Sequence, residues 1–558
     1  MIGSPSTKLK SPTRTPSASW NLLIAALLLL PSAWFLAQFS DLPRFGQLHD
    51  DSLYFVSAKS LAQGHGYRIE SLPGEPAQTK YPPLYPLLLS IAWRVTPEFP
   101  QNLPLAGWLS WLALPAILAQ LGWMFSQLGF SRWRSWGLLA LFGLNPYVIL
   151  FSSQLLSELW FLAFALAAML LLERGLAAQS ARFAVAAGAI AGLAYLTRSA
   201  GLALFAAGAV YLWMSKERRL AGLFAATAAP FALGWMAWAR SHQAATNDPE
   251  LIYYLDYFRY EVYAISWSDL PVVLWKNVDG LLAGLGGMML PKVNGSLFEK
   301  ILSQVIAAAM ISGVVRLVRR GSGRLFALFA GFSVLLLLVW HFPPNERFVL
   351  PLFPLTLAGL LVEAEHFISL LQASRQHKDR SQRVVAAGMV GVAGLFAVAL
   401  LALQVYVGAF YLPDDARNHR ADKLERQASY RWVVENTPTD AAVLSADDGM
   451  LYLNTGRHAM RRPVPPFLWY REDHAGTVAW LGEPADYARQ HGLSYFDFAG
   501  VDVSLGVDDD DSAAIQKKIA SSADFEALMQ RGTSTLYGVR PQSSVAADLR
   551  TRPLPPTR

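Results

Sequence analysis

The sequence predicts a polytopic α-helical membrane protein of about eleven transmembrane helices, followed by a small soluble C-terminal α/β domain. Three observations lead there. Of 558 residues 53% are hydrophobic and 16% charged, whereas a soluble domain carries roughly 25% charged residues. Uninterrupted apolar runs of membrane length recur up to about residue 408 and then stop. Lys and Arg alternate between high and low density in the connections between those runs. The mean hydropathy of +0.28 therefore averages two unlike parts. A nucleic-acid-binding, fibrous or disordered chain is excluded. The net charge of +6 reads as Lys and Arg in cytoplasmic loops rather than as a nucleic-acid partner. With no cysteine, disulfides, thiolate metal sites and Cys nucleophiles are excluded as well.

A helix needs about 20 apolar residues to cross a bilayer. Suitable runs lie at 20–39, 104–125, 136–151, 157–172, 181–196, 200–214, 220–238, 299–315, 325–340, 348–365 and 384–408. The first is long and ends in Ser40-Asp41-Leu42, a poor cleavage site, so it reads as an anchor and not a signal peptide. Alternate connections starting from a basic N-terminus (1–19) hold 18 Lys and Arg in 66 residues. The opposite set, 40–103, 151–156, 197–200, 239–296 and 341–347, holds 11 in 139. The positive-inside rule then places the N-terminus in the cytoplasm and, with an odd helix count, residues 409–540 outside. Residues 81–95 are short and Pro-rich, and 270–291 carry Lys276 and Asp279, so both read as interfacial or re-entrant segments of outer loops.

The C-terminal part is frequently charged. Val443-Leu444-Ser445 and Met450-Leu451-Tyr452-Leu453 read as short strands around an Asp-Asp-Gly turn, and 514–530 has helical periodicity. The run Asp508 to Asp511 reads as solvated loop, and 541–558 as a disordered Pro-rich tail.

Charge at a membrane surface is costly, so its placement is informative. Past the first helix stand His49, Asp50 and Asp51. The acids suit a general base or a divalent-ion ligand, or one of them simply caps the helix that follows. Ser157-Glu158 opens the fourth helix, where Glu158 is either a functional acid or a first-turn acid favoured by the helix dipole. Arg198 and Arg347 are isolated arginines of the low-charge face, suited to a phosphate unless they snorkel to headgroups, and Lys80 shares that reading. His49, His65 and His341 are either metal ligands or plain polar residues. Trp123, Trp160 and Trp235 read as packing or interface anchors.

The string Asp50-Asp51-x-x-Tyr54-x-x-x-Ala58-x-x-x-x-x-Gly64, followed by Lys80-Tyr81-Pro82-Pro83-Leu84-Tyr85-Pro86, resembles the first outer loop of the GT-C glycosyltransferases. It is most similar to the protein mannosyltransferase and aminoarabinose transferase branch (glycosyltransferase family 39-like). There the acidic pair is usually Asp-Glu; here the second acid is Asp51. The resemblance covers the membrane half, 20 to about 365, and not the C-terminal domain.

That resemblance implies a GT-C-type membrane domain over 20–408, with a catalytic first outer loop at 40–103, and an enzyme of a bacterial inner membrane. It implies a polyprenyl-phosphate-linked sugar as donor and a hydroxyl of a lipid, glycan or protein as acceptor. Asp50 matches the first acid and is expected as base, with Asp51 or Glu158 supporting it. Lys80, Arg198 and Arg347 are expected at the donor phosphate, and Tyr54, Tyr81, Pro82 and Pro83 as the loop motif. A single displacement predicts inversion. Some branches use a divalent metal, for which Asp51, Glu158 and His341 are the ligands to consider, although the sequence shows no closed set. The C-terminal domain is expected to cover the cleft, recruit the acceptor or act as a spacer. A transporter or flippase should carry charge inside several spans, and a scaffold would leave the acids and arginines without a shared purpose.

Overall fold

Every apolar run of the sequence forms helix in the computed structural model, which describes residues 18–261, 266–291, 295–375, 380–503 and 507–541. Among the described residues seven helices are long and apolar enough to cross a membrane, or eight if the bent pair Arg132–Gly143 and Pro146–Ser152 is one span. That pair is broken by 59°, and Pro146, with no N–H to donate, opens its second half. The other three expected spans are shorter apolar helices: Ala181–Thr197, Ser199–Met214 and Arg324–Leu338. The expected basic N-terminus, up to residue 17, and the expected tail, from 542, lie outside the described residues.

Small residues set the closest helix contacts. A Cβ on Gly359 would lie 2.8 Å from the backbone nitrogen of Val314, which lets Leu297–Arg319 and Phe353–Arg375 touch backbone to backbone. Residues 81–95 form no span: after Pro82-Pro83 the chain makes the 12-residue helix Leu84–Val95, whose buried face packs on Asp50–Gln63. Residues 270–291 give Leu270–Gly287, packed beside Leu297–Arg319.

The last apolar helix does not end at the membrane. It runs on through a π-turn at Val407–Tyr411 into Leu412–Asn436, which packs on a five-stranded sheet. The strands are β1 Ala442–Ser445, β2 His458–Met460, β3 Tyr495–Ala499, β4 Phe525–Arg531 and β5 Ser534–Val539, in the order β2-β1-β3-β5-β4. β1 is parallel to both neighbours, with Val443 opposite Ala459 and Leu444 opposite Phe496. β3, β5 and β4 are antiparallel.

Three expected elements are corrected here. Met450 to Leu453 is not a strand but the middle of the helix Asp448–Thr455. A four-residue apolar run has no readable period, and Asp447-Asp448-Gly449 begins the helix instead of turning between strands. Helix is found over Asp509–Ala520 only, because Phe525–Arg531 becomes the edge strand β4. Its sequence, FEALMQR, favours helix, and pairing with β5 overrides that preference. The acidic run is the first turn of that helix, with the Asp508 carboxylate accepting from the Asp511 N–H as its cap.

The sheet domain and the first loop share one apolar cluster. Leu53, Phe55, Leu89 and Leu103 are buried together with Met450, Leu451, Ala459 and Phe496. The Ala459 N–H donates to the Ser71 carbonyl at 2.7 Å, and Arg420 grips Asp41 through two hydrogen bonds.

Candidate active site

The helix Asp50–Gln63 starts from an unusual turn. His49 has φ 61° and ψ −49°, and the Asp50 N–H donates to the Leu48 carbonyl at 2.7 Å, which is a γ-turn of the strained, positive-φ hand. Neither acid caps the helix in the ordinary way. The turn sends three consecutive side chains to three different environments.

Asp50 faces a cavity of about 790 Å³. Its Oδ1 accepts from the Tyr81 hydroxyl at 2.6 Å and its Oδ2 from Arg347 Nη2 at 2.6 Å. Burial opposes ionisation, but the Arg347 guanidinium, the Tyr81 hydroxyl and the Lys80 ammonium outweigh it and hold the carboxyl well below the usual range. Arg347 Nε also donates to Glu158 Oε1, and that oxygen takes Arg198 Nη1 at 2.8 Å. The result is a chain of two acids and two arginines, Asp50–Arg347–Glu158–Arg198, drawn from four separate segments. The Glu158 side chain is 1% exposed and that of Arg347 9%, so neither is a surface acid or a snorkelling arginine. Tyr54 packs edge-on against Tyr81 and Tyr85, and its hydroxyl is 3.2 Å from Ser157 Oγ, which Arg198 also contacts. Pro82 lines the cavity, and the Tyr67 hydroxyl shares its proton between the Tyr81 and Pro82 carbonyls at 2.9 and 3.3 Å, whereas Pro83 stands at the start of the helix Leu84–Val95.

Asp51 points away from the cavity. Its Oδ2 accepts from the Gly46 N–H at 3.0 Å and its Oδ1 from the Ser52 N–H at 2.7 Å, which ties the loop to the first turn of the helix. Burial, partly offset by those two bonds, pushes its carboxyl up to about 7. Its place is therefore structural, and it stands apart from Asp50 and Glu158.

Lys80 also lines the cavity. Its Nζ donates to the Tyr253 carbonyl at 2.9 Å and stands 4.3 Å from the Tyr253 ring centre and 5.1 Å from that of Tyr260. His341 also lines the cavity, packed among Tyr260, Trp340 and Phe342. The suggested metal ligands Asp51, Glu158 and His341 do not converge. Among the described residues the groups with ligand spacing are Asp248, Glu250 and His491, and His474, Asp508 and Asp511. Both Asp51 oxygens already accept backbone N–H groups, so these residues do not fit a metal centre. His65 pairs with Glu70. Trp235 is buried beside Tyr195 and Ala232, and Trp160 packs with its indole N–H on the Leu109 carbonyl.

Sequence reasoning missed what the C-terminal domain adds. His49 Nε2 is 2.7 Å from Asp448 Oδ1, and the Tyr253 hydroxyl is 2.6 Å from His49 Nδ1. The other Asp448 oxygen accepts from the Tyr254 hydroxyl, which in turn accepts from the Arg461 backbone N–H at 2.8 Å. Burial holds His49 below its ordinary value despite the nearby Asp448, so the ring is neutral at pH 7. It donates from Nε2 and accepts at Nδ1. The only signals were a Tyr-rich stretch, Tyr253-Tyr254 to Tyr260, and an Arg461-Arg462 pair in a part expected on the face poor in positive charge.

No protein-family model and no curated protein matches the sequence. Among solved structures the chain is similar to ArnT from Cupriavidus metallidurans in the apo state, at 11% identity over 94% of this chain and 99% of that one (TM-score 0.48). It is similar to the same protein bound to undecaprenyl phosphate, at 14% identity over 94% and 100% (TM-score 0.48). It is also similar to the Archaeoglobus fulgidus oligosaccharyltransferase in the apo form, at 14% identity over 94% and 75% (TM-score 0.49).

Proposed function

We propose that this chain is an integral-membrane glycosyltransferase of the GT-C type. It moves a sugar from a polyprenyl-phosphate carrier to a hydroxyl acceptor on the extracytoplasmic side of a bacterial inner membrane. One observation carries the reading: the acid of the first-loop motif, Asp50, and the second acid, Glu158, are tied by Arg347 in one cavity. Four of the five connections poor in Lys and Arg, 40–103, 197–200, 239–296 and 341–347, line that cavity, which supports a site on the outer face.

In this reading the acceptor oxygen attacks the anomeric carbon while the bond to the carrier phosphate breaks, which inverts the centre. The phosphate leaves with the bonding pair, and cations beside it stabilise the growing charge. Asp50, fully ionised, accepts the hydroxyl proton. A carboxylate this acidic is a weak base toward a free alcohol, so transfer comes late, once bonding to carbon has made the proton acidic. Arg347 and Tyr81 aim the carboxylate, and Glu158 holds Arg347 and Arg198 in place. No step passes through a metal.

The test is release or transfer of label from a panel of radiolabelled polyprenyl-phosphate sugars by the full-length protein in lipid nanodiscs. One donor is expected to turn over, and Asp50→Asn to lower the rate at least about a hundredfold with folding intact. Full activity in Asp50→Asn would remove Asp50 as base. No turnover of any donor by folded protein, with lipid, glycan and peptide acceptors supplied, would overturn the glycosyltransferase reading.

A further inference from the structure

The helix Pro249–Leu255 carries Tyr253 and Tyr254 to His49 and Asp448, and its start meets the sheet domain at a separate group of side chains. Asp248 precedes this helix. Its Oδ1 accepts from the Glu250 and Leu251 N–H groups at 3.0 and 3.4 Å, and that cap leaves Oδ2 facing His491. The Glu250 carboxyl, in the first turn, stands beside that of Asp248. His491 follows the helix Ala485–Gln490 of the sheet domain, and its ring packs on that of Tyr487 with centres 4.6 Å apart. None of the three lines the cavity of Asp50.

A carboxylate oxygen of Asp248, one of Glu250 and a ring nitrogen of His491 lie within 4.8 Å of one another. Glu250 is buried, and Arg462, the cation that acts on it, already donates to the Trp480 and Glu483 carbonyls and stacks on Trp480. Even with Arg462 counted, two carboxylates leave the group net negative. His491 Nε2 is buried too. It is 3.1 Å from Asp248 Oδ2 without the alignment of a hydrogen bond, and among the described residues no other partner meets it. Two ligands about 2.1 Å from one zinc ion stand about 3.4 Å apart and point at the ion, not at each other. Adjacent carboxylates in a buried place are costly unless an opposite charge joins them. One imidazole with two carboxylates suits zinc, whereas magnesium and calcium take oxygen ligands.

We infer that Asp248, Glu250 and His491 bind a zinc ion, with water as the fourth ligand, and that the ion fastens the outer loop 239–296 to the sheet domain. The site is independent of the glycosyltransferase reading. It reaches the active site only through the helix it anchors, whose Tyr253 and Tyr254 hold His49 and Asp448. The other group with ligand spacing, His474, Asp508 and Asp511, provides a control, because the His474 side chain is 61% exposed against 12% for His491.

The experiment strips the full-length protein in nanodiscs with a chelator, dialyses it against zinc, magnesium or calcium, and measures metal content and melting temperature. The wild type is expected to retain zinc and to melt higher with it, and to show neither effect with magnesium or calcium. His491→Ala and Glu250→Gln are each expected to weaken zinc binding at least about tenfold and to lose the rise in melting temperature. These two variants lie in different parts of the chain, so one of them decides the matter if the other does not fold. His474→Ala is expected to leave that zinc and the rise in place. No zinc in the folded wild type, or unchanged zinc binding in a folded His491→Ala or Glu250→Gln, overturns the inference. Zinc lost in His474→Ala instead, or magnesium or calcium bound as tightly as zinc, overturns it as well.

Discussion

Asp50 and Asp51 carry the same functional group on adjacent residues and end in opposite electrostatic states. Arg347 and Tyr81 hold Asp50 ionised across the physiological range. Burial raises Asp51 from its ordinary 3.8 to about 7. The folded state therefore binds the Asp51 proton more tightly than the unfolded chain does. The stability that this proton confers is fully present below about 3.8 and is lost as pH rises through about 7. Asn has no such titration, so the stability of the wild type relative to Asp51→Asn should fall between those pH values. Parallel thermal melts of the two proteins from pH 4 to 8 check this; a constant difference would show that Asp51 is ionised throughout. At pH 4, before that loss sets in, the Asn side chain offers a single acceptor to two backbone N–H groups, so a cost of about 1–2 kcal/mol is expected there.

At the scale of elements the question is how the helix Asp448–Thr455 of the sheet domain docks on the helix Asp50–Gln63. Gly449 decides the approach: a Cβ there would lie 2.7 Å from Ser52 Cβ. Gly449→Ala should push the two helices apart, part Asp448 from His49 and lower kcat, with hydrogen exchange rising in both helices. Asp448→Asn leaves the helices in contact but forces the buried network to rearrange. It should destabilise the protein by about 2 kcal/mol in thermal or denaturant unfolding. In the membrane half, Gly359→Leu should separate Leu297–Arg319 from Phe353–Arg375, seen as a lower melting temperature whatever ligand is present. Legibility also differs by element. The apolar runs were readable because a span must be continuously apolar. Met450 to Leu453 and Phe525–Arg531 were not, because short segments take their state from what they pack or pair with.

Across the whole molecule, the sheet domain is part of the site and not a tethered appendage. It shares a core with the first loop, clamps His49 and brings Arg461 into the cavity. Removal of residues 437–558 should abolish activity even where the membrane half still inserts, and adding the separate sheet domain back should fail because its apolar docking face is then exposed. Insertion is checked by protease protection and activity by the donor assay. By itself the sequence determined the helical membrane character, and loop charge and a short motif singled out the acids and cations worth naming. Those follow from local rules: apolar length, loop charge and a short motif. Only the tertiary structure decided that Asp50 faces the cavity while Asp51 faces the backbone, that Arg198 and Arg347 are neutralised by Glu158 and Asp50, and that His49 meets Asp448 across 399 residues. Pairing between distant charges depends on which side chains share a buried volume, and no local pattern encodes that.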